Sequence, residues 1–162
     1  MRAIRYNLEA RMSYVIYQRT EMYKNSIAGG ALVRPMFAEY PQDPHFNATM
    51  VDTVMFGEAL KVDFQFDTDD ANKDVLFPLF TNWLEVFFQE LIVIEDDPVK
   101  IQSAPFNYPM VYQKEGTIVP FQHIIKTGAR STMGLKDTAV RFTVFLDQTT
   151  KDAKGHALIE DQ

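Results

Sequence analysis

Arg34 and Glu39 are the first side chains in this sequence whose spacing suggests chemistry. They bracket Pro-Met-Phe-Ala, with apolar Leu32-Val33 before them and Pro41-Gln-Asp-Pro44 after. An arginine and a carboxylate this close can orient a polar substrate, or they can pair with each other and hold the chain in place. A bland surface loop does not need Leu-Val-Arg-Pro-Met-Phe, and a bland core strand does not need the arginine.

The other candidates carry less. The acidic run at 67–74 looks like half of a calcium loop, which needs glycine at its sixth place and glutamate at its twelfth. Those places hold Asn72 and Pro78, so a solvated turn is the expectation. His45, His123 and His156 are far apart and lack an H-E-x-x-H neighbourhood, so each reads as a surface or loop histidine and no metal is expected. Thr-Gly-Ala-Arg-Ser-Thr at 127–132 has the flavour of a phosphate loop but lacks its Gly-Lys-Ser/Thr ending. No G-x-S-x-G occurs, and with no cysteine there is neither thiolate chemistry nor a disulfide framework. Asn47-Ala48-Thr49 is an N-glycosylation sequon, which makes Asn47 a candidate acceptor on a secretory route. No cofactor is implied.

These residues sit in 162 residues that are 46% hydrophobic and 13% aromatic, enough to bury the core of an ordinary domain. A formal charge of −6 is the wrong sign for a general nucleic-acid binder or for docking on an anionic membrane. No apolar run is long enough to span a bilayer, and the N-terminus has no signal-peptide core. The chain begins inside a helical pattern without a cap, which suggests a fragment.

Two unlike parts position the candidates. At 3–24, Leu8, Met12, Val15, Ile16, Arg19 and Tyr23 recur every three or four residues, as on one helix face, and Gly29-Gly30 ends the pattern. The short run at 31–37 reads as a strand ending or bending near Pro35. Helix, glycine turn and strand in that order predict an α/β unit with parallel pairing. From 51 onward, short apolar runs at 59–66, 75–80, 83–94, 99–102, 110–113, 117–121 and 138–146 alternate with polar turns, which predicts an antiparallel sandwich or barrel. Trp83, the only tryptophan, opens a phenylalanine-rich strand; it is expected to anchor the core, with sugar stacking as the functional alternative.

The order of motifs resembles family 31 of the glycoside hydrolases, the α-glucosidase family. That family has a helix of the type R-Y-x-L-L-P-Y-L-Y-T-L, a glycine turn, and V-V-R-P-L-F-x-E-F-P-x-D. The matching residues are Arg5, Tyr6, Leu8, Tyr14, Tyr17, Gly30, Val33, Arg34, Pro35, Met36, Phe37, Glu39, Tyr40, Pro41 and Asp43. Residues 51–62 resemble I-D-x-Q-F-L-x-G-x-x-L-L-V, Trp83 falls where the family has W-Y-D-F-Y-T-G, 112–122 resembles V-R-G-G-Y-I-L-P-W-Q, and 155–162 resembles G-x-L-F-W-D-D-G. The chain departs at Lys61 and Asp63, which are charged where the family strand is apolar, and at Glu115 and Gln162, which replace glycines.

The resemblance implies the last helix and strand of a (β/α)8 barrel at 1–50, followed by a proximal, probably incomplete, antiparallel β-sandwich at 51–162. It implies a parent enzyme that hydrolyses α-glucosides with two carboxylates about 5 Å apart. The family's motifs for both carboxylates are absent here, so no catalytic residue is expected in this chain. The carbohydrate substrate would be met through the full enzyme, and the missing N-terminal catalytic part is the expected partner, on the same or a separate polypeptide. Arg34 and Glu39 become either a supporting shell near the sugar site or an ion pair fixing the barrel strand against the next domain. The family favours a secretory, lysosomal or extracellular setting. The alternative is a non-catalytic accessory or carbohydrate-binding β-sandwich subunit.

Overall fold

The computed structural model describes residues 2–46, 52–64, 72–103, 110–123, 131, 133–135 and 138–159. The helical pattern forms two helices rather than one, α1 (Arg2–Ser13) and α2 (Val15–Ala28). The residues are mostly good helix formers without proline, and the exposed Arg5–Glu9 pair one turn apart (2.8 Å) adds a little more. The break falls at Tyr14 (φ −101°, ψ 14°), where the backbone NH turns back to Arg11 O and the Ser13 hydroxyl donates to Glu9 O. α2 runs four residues beyond the expected end and closes at Gly29, whose φ of +80° suits a residue without a side chain.

The glycine turn leads into β1 (Val33–Pro35), which is followed at once by a single helical turn, α3 (Met36–Glu39). The expected parallel pairing is not what forms. β1 pairs antiparallel with β2 (Thr53–Phe56), with Arg34 opposite Met55. Proline is tolerated because Pro35 closes an edge strand, where the lost donor costs no ladder bond. β2 itself is a strand the sequence reading did not mark, and it turns through 57–59 into β3 (Leu60–Asp63).

The remaining strands follow the predicted runs closely: β4 (Asn72–Leu76), β5 (Trp83–Glu85), β6 (Leu91–Ile92), β7 (Val99–Ser103), β8 (Met110–Lys114), β9 (Thr117–Gln122) and β10 (Val140–Phe145). The run 83–94 divides in two, because residues 86–88 turn the chain back. Of the acidic run, 72–74 begins β4 instead of lying in a turn, and 67–71 is outside the described residues. The strands assemble as a six-stranded antiparallel sheet in the order β1-β2-β3-β8-β5-β6, plus the ribbons β9–β10 and β4–β7. This mostly antiparallel, few-helix architecture matches a β-sandwich.

Period-two alternation sorts the six-stranded sheet's side chains onto two faces. One face carries Met55, Tyr112, Trp83 and Ile92, which cluster with Val75 and Phe77 around the β4–β7 ribbon and with Met36 and Phe46. The other carries Leu60 and Val111, which cluster with Tyr17 of α2 and Val119 of β9. Two buried glutamines tie the ribbon and its loop down. Gln113 Nε2 donates to Thr117 O and Thr143 O, and Gln122 Nε2 donates to Leu135 O and Thr138 O.

Candidate functional site

The polar side chains with the most tertiary contacts converge on the 57–59 turn between β2 and β3. Gly57 takes φ +65°, and a Cβ there would lie 2.3 Å from the Tyr17 hydroxyl and 2.7 Å from Glu21 Cγ. The glycine thus serves two purposes: it makes the tight hairpin and lets α2 approach. The Tyr17 hydroxyl donates to Phe56 O (3.0 Å) and accepts from Ala59 NH (2.9 Å). Burial pushes the phenol far above its ordinary pKa, so it stays a neutral donor. Glu21 accepts from Glu58 NH (3.0 Å), and Lys24 joins Glu21 and Glu58 at 3.1 and 2.7 Å. The bond from Lys24 holds the Glu58 carboxyl below the usual range.

Arg34 reaches the same turn from β1. Its Nε donates to Glu39 (2.8 Å), Nη1 to Ala31 O (3.0 Å) and Nη2 to Gly57 O (3.0 Å). The guanidinium fork is thereby filled by three acceptors that fix β1, the α3 turn and the β2–β3 hairpin relative to one another. Thr20 of α2 adds a further tie by accepting from Leu158 NH (2.8 Å) near the end of the described chain. Replacing Gly57 with alanine is expected to destabilise the chain by about 1–3 kcal/mol through the left-handed φ and the clash with Tyr17. A urea melt checks this, and an unchanged midpoint would show that the clamp yields without cost.

The structure thus brings Arg34 and Glu39 together, half-buried, as an ion pair. It does not bring a metal set together: no group of three or more His, Asp or Glu side chains is placed to hold an ion among the described residues. His45 is exposed and pairs with Asp43 (2.8 Å), His123 stacks edge-on to Phe121, and His156 is exposed. Asn47, and the phosphate-like run at 127–132 apart from Ser131, lie outside the described residues. Trp83 is fully buried beside Phe77 (ring centroids 6.0 Å), so its faces are closed to a sugar. A shallow cleft of about 430 Å³ lies between the 39–44 loop and Pro78-Leu79, with Glu39, Gln42 and Asp43 on its wall.

Sequence reasoning missed Glu21 as an anchor. A charged residue in a helix usually faces water, and the only hint was Gly57 in the turn it would have to reach.

Comparisons with known proteins agree with this geometry. The family described as "Glycosyl hydrolase family 31 C-terminal domain" matches residues 29–119, more than half of the chain. Neutral alpha-glucosidase AB of Dictyostelium discoideum is 27% identical over 98% of this chain and 16% of its own length. An uncharacterized family 31 glucosidase of Schizosaccharomyces pombe is 28% identical over 95% of this chain and 15% of its own length. The chain therefore spans only about a sixth of these relatives. A crystal structure of a glucosidase II alpha subunit superposes with TM-score 0.77 at 19% identity, covering 86% of this chain and 15% of that one. A glucosidase II complex of the catalytic subunit with the binding domain of a regulatory subunit gives 0.76 over the same shares. At that identity the likeness speaks for the fold. With the family description matched across more than half of its length, the chain belongs to glycosyl hydrolase family 31.

Proposed function

We propose that this chain is the C-terminal portion of an α-glucosidase-like hydrolase, in which α1 and α2 belong to the end of a (β/α)8 catalytic barrel and the antiparallel sandwich supports it. The observation that carries this reading is the clamp on the 57–59 turn. Tyr17, Glu21 and Lys24 from α2 and Arg34 from β1 all close on one hairpin, as a joint between a helical layer and a sandwich requires. The boundary is best drawn at Gly29-Gly30 rather than near residue 50. β1 pairs with β2, and the family match begins at residue 29; both support the earlier position.

In this reading the parent hydrolyses O-glycosyl bonds of α-glucosides by a retaining double displacement, as the glucosidase names of its relatives suggest. One carboxylate attacks the anomeric carbon while the other protonates the leaving oxygen, and both belong to the part of the enzyme that precedes this chain. Arg34 and Glu39 support the barrel indirectly: their ion pair holds the strand and turn that join the two units. The accessory carbohydrate-binding alternative loses its main candidate, because Trp83 is enclosed.

The isolated chain is expected to release no chromogenic aglycone from an α-glucoside above a denatured control. Turnover that persists through stringent purification would overturn the proposal.

A further inference from the structure

We infer that the outer face of the α1–α2 pair is an interface for the polypeptide that precedes this domain in its parent, making the pair the middle of three layers. This rests on the proposed placement of the chain at the C-terminal end of a longer hydrolase.

The amphipathy of the helices is inverted. A helix covering one sheet normally turns apolar side chains inward and charges to water. In α2 the buried positions are Tyr17, Thr20 and Glu21, with Lys24 drawn in behind them. Exposed instead are Met22 (53%), Tyr23 (52%) and Ile27 (71%) of α2, and Ile4 (68%) and Leu8 (52%) of α1. Val15, Ile16 and Leu32 are half-buried, so the stripe expected from the sequence is not used against this sheet. An apolar group of this kind on a soluble domain marks an interface.

Beneath α1 lies a second uncovered surface. A cleft of about 440 Å³ separates Ala10 and Tyr14 from Val33, Phe56, Val62 and Phe87 of the sheet side, and its lining is mostly apolar. A helix pair with apolar side chains turned away from its only sheet is complete when another layer covers it.

Two observations point to the covering layer. The matched family unit is a C-terminal domain, so the rest of a family chain precedes it. This chain covers only 16% of the Dictyostelium relative, so there is ample preceding length to supply that layer. The partner is therefore an apolar surface of the same parent, presented to Leu8, Met22, Tyr23 and Ile27.

The test is one double substitution, Leu8→Glu with Ile27→Glu, made in the isolated chain and in the full parent. In the isolated chain these side chains already meet water, so the urea midpoint should stay where it is. In the parent the midpoint should fall, and amide exchange across α1 and α2 should speed up. An unchanged parent, or an equal fall in both contexts, overturns the inference. So does a concentration-dependent dimer of the isolated chain, seen by sedimentation, that the double substitution dissolves, because the occupant would then be a second copy. Intact mass from the native source showing a 162-residue product with no longer precursor overturns it as well. Glucoside hydrolysis by the parent is read separately. A parent that buries this face but cleaves no glucoside would defeat the proposed function and leave the interface standing.

Discussion

Lys61→Met is expected to cost about 3–5 kcal/mol, the usual penalty for stranding one member of a buried ion pair. Lys61 is 0% exposed, on the Trp83 face of the six-stranded sheet, and its ammonium is paired with Asp63, whose side chain is 3% exposed. The ammonium also lies 4.7 Å from the centre of the Phe77 ring and 5.3 Å from that of Tyr112. Burial pulls the Lys61 pKa below its ordinary value, and the attraction of Asp63 opposes that shift without cancelling it. Removing the amine leaves a carboxylate in a dry core with nothing to balance it.

The double variant Lys61→Met, Asp63→Val should recover that loss and end near the wild type or about 1–4 kcal/mol above it, since apolar packing spares both desolvation costs. Urea denaturation of the two variants beside the wild type decides the matter. A single variant with the wild-type midpoint would mean that the pair is hydrated in solution.

Trp83→Ala is expected to cost about 3–5 kcal/mol by opening a large cavity. The indole is fully enclosed, tilted 43° against Phe77, and shares its cluster with Met55, Ile92 and Tyr112. For a chain of this size each kcal/mol lowers the thermal midpoint by about 2–4 °C. Trp83→Phe should lose much less. It keeps an aromatic ring and removes an indole NH that is buried without a hydrogen-bond partner. Should Trp83→Ala keep its midpoint but lose binding to maltose or a longer α-glucan, the ring would be a stacking platform and the packing account would fail.

Much of this protein follows from residue order alone. Breakers such as Pro98 and Gly116 and the alternating runs between them placed the strands from 72 onward, because turn chemistry and period-two alternation act locally. The motif series from Arg5 to Gly155 carried the family, since those positions hold glycines, prolines and aromatics that a particular backbone path demands. Arg34 and Glu39 stood out because charge beside an apolar strand is costly unless it is paired.

Only the tertiary structure decided the rest. β1 joins β2 antiparallel although helix, turn and strand in sequence suggested a parallel unit, because pairing partners are chosen across space and the sheet edge beside β2 was available to it. Lys61 and Asp63 looked like surface charges in a strand, and they became a buried pair because Phe77 and Tyr112 close over them. The helical stripe of Leu8, Val15, Ile16 and Tyr23 read as the buried face, and the fold turned it outward. Tyr17, Glu21 and Lys24 find better partners on the 57–59 turn, whose exposed backbone groups need hydrogen bonds that an apolar stripe cannot supply.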